Sequence, residues 1–172
     1  MYPIGPYTSP KKLDLETMKS FAEELVKFPE EVKSTILNFS ENQLLTKTLP
    51  GVWIVSQVIH HLADSHMNAF IRTKLALTEN VPIIKPYMEE KWAELEDGRN
   101  SSVIESIKIL EGVHNRWYSL LISLNETDIR KEYFHPESQK QVLVAEIVPL
   151  YVWHGRHHLG HIDLLKKDKG WL

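Results

Sequence analysis

Four histidines fall within eight residues, His154, His157, His158 and His161, and they limit the chain's possible folds more than any other feature. The segment around them, about 144–167, has helical apolar spacing, and each residue of an α-helix advances by about 100°. With His154 as origin, His157 falls at about −60°, His158 at about +40° and His161 at about −20°. Leu150, Ile147 and Leu165 lie within the same arc, whereas Arg156 and Asp163 lie at about 180°. The histidine stripe is therefore the core-facing stripe. An unsatisfied polar group in an apolar interior costs about 1–3 kcal/mol, so this fold must give several imidazoles polar partners or a metal. Two pairs, His154 with His158 and His157 with His161, have the i, i+4 spacing that lets neighbouring imidazoles grip one ion. Spacing does not choose between them.

A second window, His60, His61 and His66, sits in a helical segment from about Val55 to Leu77. With Val58 as origin, His61, Ser65, Asn68 and Arg72 form a polar stripe between about −80° and −20°. It runs beside the packing face of Val58, Leu62, Ala69 and Ala76, with His60, Met67 and Lys74 opposite. This reading turns His61 inward and His60 away. One ligand from a facing helix joined to a pair from the last helix is a usual way for bundle cores to build metal sites. Three imidazoles leave coordination open for water or substrate, and neutral nitrogen ligands suit zinc best, with nickel, iron and copper next.

The rest of the chain frames these two segments. Seven glycines and nine prolines leave few joints between helical runs. Residues 1–13 read as an extended arm, followed by helices at about 14–27 and 29–39 and a loop over 46–53 containing Pro50-Gly51. Two prolines between 80 and 86 stop the second long helix, and a short helix follows at about 89–95. Ser102 and Glu105 have capping-box spacing, which predicts a helix to about Ser123. Its stripe is Ile104, Ile107, Leu110, Val113 or His114, Trp117 and Leu121. His135-Pro136-Glu137-Ser138 reads as a hairpin tip, and Pro149 kinks the last helix or marks its start. The expected architecture is an all-α four-helix bundle with short accessory helices and one small hairpin, forming one domain over 1–172.

Composition removes several classes of function. The absence of cysteine rules out thiolate zinc sites, iron–sulfur clusters and a cysteine nucleophile. A net charge of −3 provides no field to attract nucleic acid or anionic lipid. No apolar run approaches the roughly 18 residues of a transmembrane helix, and no signal-peptide pattern opens the chain. A cytoplasmic protein is expected.

The arm Tyr2-Pro3-Ile4-Gly5, the stretch Gln57 to Asn68, and Tyr151-Val152-Trp153-His154 followed by His157-His158-Leu159-Gly160-His161 closely resemble the DinB/YfiT-like metal-dependent hydrolases. The similarity extends to Lys85-Pro86-Tyr87, Trp92 with Glu94-Leu95, and Tyr133-Phe134-His135-Pro136. The resemblance implies a four-helix bundle with one divalent metal per chain, zinc or nickel, held by three histidines, and a homodimer in some members. Carried over by position, it places the ligands at His61, His157 and His161. It also implies transfer of a low-molecular-weight thiol, such as bacillithiol, to an electrophile. Two positions depart from the family pattern: Ile54 replaces a threonine or serine helix cap, and Met88 replaces an acidic residue after the tyrosine.

Three mechanisms compete. A thiol transferase needs no protein base, because a thiol on a metal is already deprotonated. A hydrolase using metal-bound hydroxide usually has a carboxylate base nearby; Asp163 lies on the outer side, and Asp64, at about −120°, is a marginal candidate. A non-catalytic metal-binding bundle is the third. Asn68 and Arg72, one and two turns beyond His61, are the candidates for binding a cosubstrate anion, while Trp53, Tyr151 and Trp153 are candidate pocket walls. His114 and His135 join no constellation.

Overall fold

The computed structural model describes residues 2–48 and 53–171; Pro50 and Gly51 of the expected loop lie outside them. In chain order it contains α1 (Leu15–Leu25), α2 (Phe28–Thr35), α3 (Glu41–Leu44), α4 (Val55–Thr78), α5 (Glu89–Trp92), α6 (Glu96–Asn100) and α7 (Val103–Ile122). A short 3-10 turn, β1 (Glu132–His135), β2 (Lys140–Leu143) and α8 (Val144–Lys169) complete it.

Local chemistry accounts for most boundaries. Asp14 caps α1 by accepting from the Thr17 amide at 2.9 Å. Pro29 sits in the first turn of α2, where a missing N–H costs nothing. Ser102 caps α7 through the Ile104 amide, but Glu105 turns to Lys108 at 3.0 Å instead of closing the expected box. Glu146 accepts from the Leu143 amide at 2.9 Å and so starts α8 ahead of Pro149, which the helix runs through. At the start of α4, the nonpolar Ile54 leaves capping to Gln57. Gln57 Oε1 accepts from the Ile54 amide, and its Nε2 donates to Ala93 O at 2.7 Å and to Glu94 Oε1, tying the 80–100 segment to α4.

The four-helix bundle closes by α1 packing on α7 and α8 and by α4 packing on the same two helices; α2 continues α1 against α7 and α8. Arg156 of α8 clamps Glu24 of α1 at 2.6 Å and Glu31 of α2 at 3.0 Å. β1 and β2 pair antiparallel, with Glu132 opposite Leu143 and His135 opposite Lys140. Pro82 and Ile84 join β1 through main-chain bonds to Phe134, so the 82–87 strand-like segment and the hairpin form one wall beside α8.

The apolar interior is divided in two. One half contains Met18, Leu25, Phe70, Trp117, Leu121 and Ile147; the other contains Phe28, Val32, Ile59, Leu62, Leu110, Leu159 and Ile162. On every long helix the change of half coincides with histidine: His66 on α4, His114 on α7, and His154 and His158 on α8. Large aliphatic and aromatic burial on both sides, at about 1.5–3 kcal/mol per side chain, holds this polar layer in place.

A three-histidine cluster at mid-bundle

α4 and α8 carry the cluster because they face each other where the two apolar halves meet. Ring nitrogens of His61, His154 and His158 all lie within 4.8 Å of one another. His61 Nε2 and His154 Nε2 are 3.4 Å apart; two nitrogens at about 2.1 Å from one tetrahedral zinc would be about that far from each other. Burial lowers the pKa of His61 to about 4 and of His154 to about 3, and holds His158 well below its ordinary value. All three are neutral at pH 7, with lone pairs available. With each proton on the ring nitrogen turned away from its neighbours, the three imidazoles offer one lone pair each to the space between them, where a cation would be held. The donor set therefore fits a divalent ion, and the Trp53 ring walls one side, 4.7 Å from the ring of His61 and 6.3 Å from that of His158.

The other i, i+4 pair has different surroundings. His157 and His161 approach each other, Nε2 to Nε2, at 3.2 Å. His157 stacks on Trp153 at 4.8 Å and meets Tyr2 of the N-terminal arm at 5.6 Å. Trp153 Nε1 donates to Gly5 O, fastening that arm to α8. The expected grouping of His61 with His157 and His161 is thus not the one the fold brings together. The mean direction of the second pair is rotated by about 60° from that of the first, and α4 sits opposite the first.

His60 also departs from expectation. It is buried, with Nδ1 2.8 Å from Ser106 Oγ of α7, because α4 is enclosed on nearly all sides by α7, α8 and α6. His66 and His114, which the sequence left without roles, extend the histidine layer inward. His114 Nδ1 is 2.6 Å from Leu25 O, a carbonyl at the end of α1 with no helical partner. A carbonyl only accepts, so His114 Nδ1 carries the proton and its Nε2 accepts from His66 Nδ1 at 2.9 Å. Burial lowers His114 to about 4, so the pair stays neutral. The signal for His114 was its place in the apolar stripe of α7; nothing in the sequence indicated the Leu25 carbonyl.

A cavity of about 200 Å3 adjoins the cluster through His154, with Ser65, Arg72, Tyr87, Glu89 and Tyr151 also in its lining. Of the candidate anion-binding and pocket-wall residues, Arg72 and Tyr151 line it, and Trp53 and Trp153 do not. Asn68 does not line it; its amide donates to Asp64 O, one turn back on α4. Asp64, pushed up to about 6 by burial and by the charge of Asp97, does not line it either. Glu89 does, and burial with the charges of Glu90 and Glu137 raises its carboxyl above the usual range. Among the described residues no helix is long and apolar enough to cross a membrane.

The sequence profile of the DinB superfamily matches residues 24–162. A Bacillus cereus protein named "putative metal-dependent hydrolase" is 46% identical over 99% of this chain and 97% of its own length. An Oceanobacillus iheyensis protein with the same description is 44% identical, covering 99% of this chain and 98% of its own. Among solved structures, YfiT from Bacillus subtilis, described as "a probable metal-dependent hydrolase with an unusual four-helix bundle topology", superposes with a TM-score of 0.95. It is 37% identical, over 99% of this chain and 98% of that one.

Proposed function

The chain belongs to the DinB superfamily, and from that premise we propose a metal-dependent enzyme that transfers a small thiol to an electrophile, with His61, His154 and His158 holding the ion. One observation carries the reading: three neutral imidazole nitrogens converge within 4.8 Å, and one of the three, His154, lines a cavity of about 200 Å3. Zinc is the first choice for an all-nitrogen set, and nickel the second. Bound there, a divalent ion supplies the charge that favours deprotonation of a coordinating thiol.

The chain's own residues do the rest. Trp53 closes the cluster against water on one side, and the apolar halves of the core keep the imidazoles fixed in direction. Arg72, Tyr151 and Ser65 present polar groups along the cavity and orient the substrate next to His154. The ligand group contains no carboxylate, as befits a reaction in which no protein base has to take a proton beside the ion. Hydrolysis is the second reading. It draws on Glu89, which lines the cavity with a raised carboxyl pKa suited to a general base.

Metal analysis together with activity separates these readings. Purified protein should hold about one divalent ion per chain, and His154→Ala and His158→Ala should lose it. Metal retained in both variants overturns the ligand set. Metal-loaded protein should conjugate a thiol such as N-acetylcysteine to a chlorodinitrobenzene electrophile, and chelation should abolish this. Ester cleavage that needs Glu89, with no conjugation, replaces the transferase by the hydrolase.

A further inference from the structure

Arg72 is a buried charge without a counter-charge. Its side chain emerges from α4 into the cavity, the residue is 9% exposed, and no carboxylate of the described residues lies within ion-pair distance. Its polar neighbours are the Tyr133 and Tyr151 hydroxyls, which interact with it as hydrogen-bond partners, and His135, which lies in its field. Neutral groups of this kind give a guanidinium hydrogen bonds but no counter-charge, and a buried charge normally demands a paired anion. Three buried polar atoms of the cavity lining have no partner among the described residues, the Tyr87 hydroxyl, His135 Nδ1 and His154 Nδ1.

We infer that Arg72 anchors the carboxylate of a small monoanionic ligand whose other end reaches His154. The inference rests on the proposed metal site for the ligand's reactive end, but the anchor itself rests on Arg72 and its surroundings. A planar guanidinium matches a carboxylate through two parallel hydrogen bonds. The remaining charged residues lining the cavity, Glu89 and Glu137, are acids, and no lysine or second arginine lines it. Among the lining residues, only Arg72 offsets those two carboxylates, so the lining favours a ligand end with a single negative charge over a dianionic phosphate. A volume of about 200 Å3 admits a molecule the size of an N-acylated amino acid.

The test is an NMR titration of the metal-loaded full chain with N-acetylalanine, its carboxamide, N-acetylcysteine and inorganic phosphate. N-acetylalanine should bind roughly 10- to 100-fold tighter than its amide, the yield of charge-assisted hydrogen bonds. Arg72→Met should erase the difference, and Arg72→Lys should keep only part of it. Equal binding of acid and amide by the native protein overturns the anchor even if the variants fail to fold, and so does tighter binding of phosphate than of N-acetylalanine. The thiol reading is scored separately, by the gain of N-acetylcysteine over N-acetylalanine. A missing gain with acid selectivity intact sinks thiol transfer and leaves the anchor standing; a gain without acid selectivity does the reverse.

Discussion

His154 with His158 and His157 with His161 share one helix, one residue type and one spacing, yet the first pair meets His61 of α4 and the second meets Tyr2 of the N-terminal arm. Trp53 lies against His158 of the first pair and against its partner His61, whereas Tyr2 of the arm and Trp153 lie against His157 of the second. Helical spacing decides which imidazoles can act together. What they act on depends on which element occupies the facing direction.

Substituting the histidines one at a time separates the two pairs most directly. His61→Ala, His154→Ala and His158→Ala should each weaken metal binding by more than about 100-fold, beyond what altering a supporting partner causes. His157→Ala and His161→Ala should leave stoichiometry unchanged by elemental analysis. Equal losses from both pairs would mean that the two do not differ.

Acid should act on the interior layer next. His114 has its pKa lowered to about 4 by burial, against 6.5 in an unfolded chain. Between these values the unfolded state binds a proton that the folded state does not, so stability falls as pH drops from about 6.5 to 4. The full loss is about 3 kcal/mol for this group. Denaturant melts of the native protein and of His114→Gln should converge as pH falls; parallel curves would show that His114 titrates as it does in the unfolded chain.

Two glycines of α8 sharpen the contrast at smaller scale. A Cβ on Gly155 would stand 2.5 Å from the Phe28 ring, which stacks on His66 at 5.1 Å, deep in the interior. Gly155→Ala should cost about 1–3 kcal/mol by overpacking, read from thermal unfolding. A Cβ on Gly160 would meet Pro3 of the arm at 2.9 Å. The arm can lift, so Gly160→Ala should cost less than about 1 kcal/mol and show as faster proteolysis near Pro3. An interior response at Gly160, or a tolerant Gly155, would contradict the division.

Much of this was legible in sequence where the controlling interaction is local. The limits of α4, α7 and α8 follow from periodicity, proline positions and the Ser102 cap, and the hairpin follows from the turn residues at His135-Pro136. His61 read inward correctly. His60 read outward because a wheel ranks faces by apolarity, whereas α4 is buried on almost every side and pairs His60 with Ser106. Arg72 was legible as an inward polar residue; that no carboxylate accompanies it was not, since ion pairing depends on residues distant in sequence.

Inward-facing imidazoles, a mostly helical chain and a site without cysteine all follow from residue order alone. It took the packing of the helices to bring His61 to His154 and His158, to link His66 through His114 to the Leu25 carbonyl, and to set Tyr2 of the N-terminal arm against His157. The reason is geometric. Within a helix, hydrogen bonds fix angles between residues to about 100° per step, but the rotation of one helix relative to another is set by packing, and here a 60° difference separates the pair facing α4 from the pair beneath the arm.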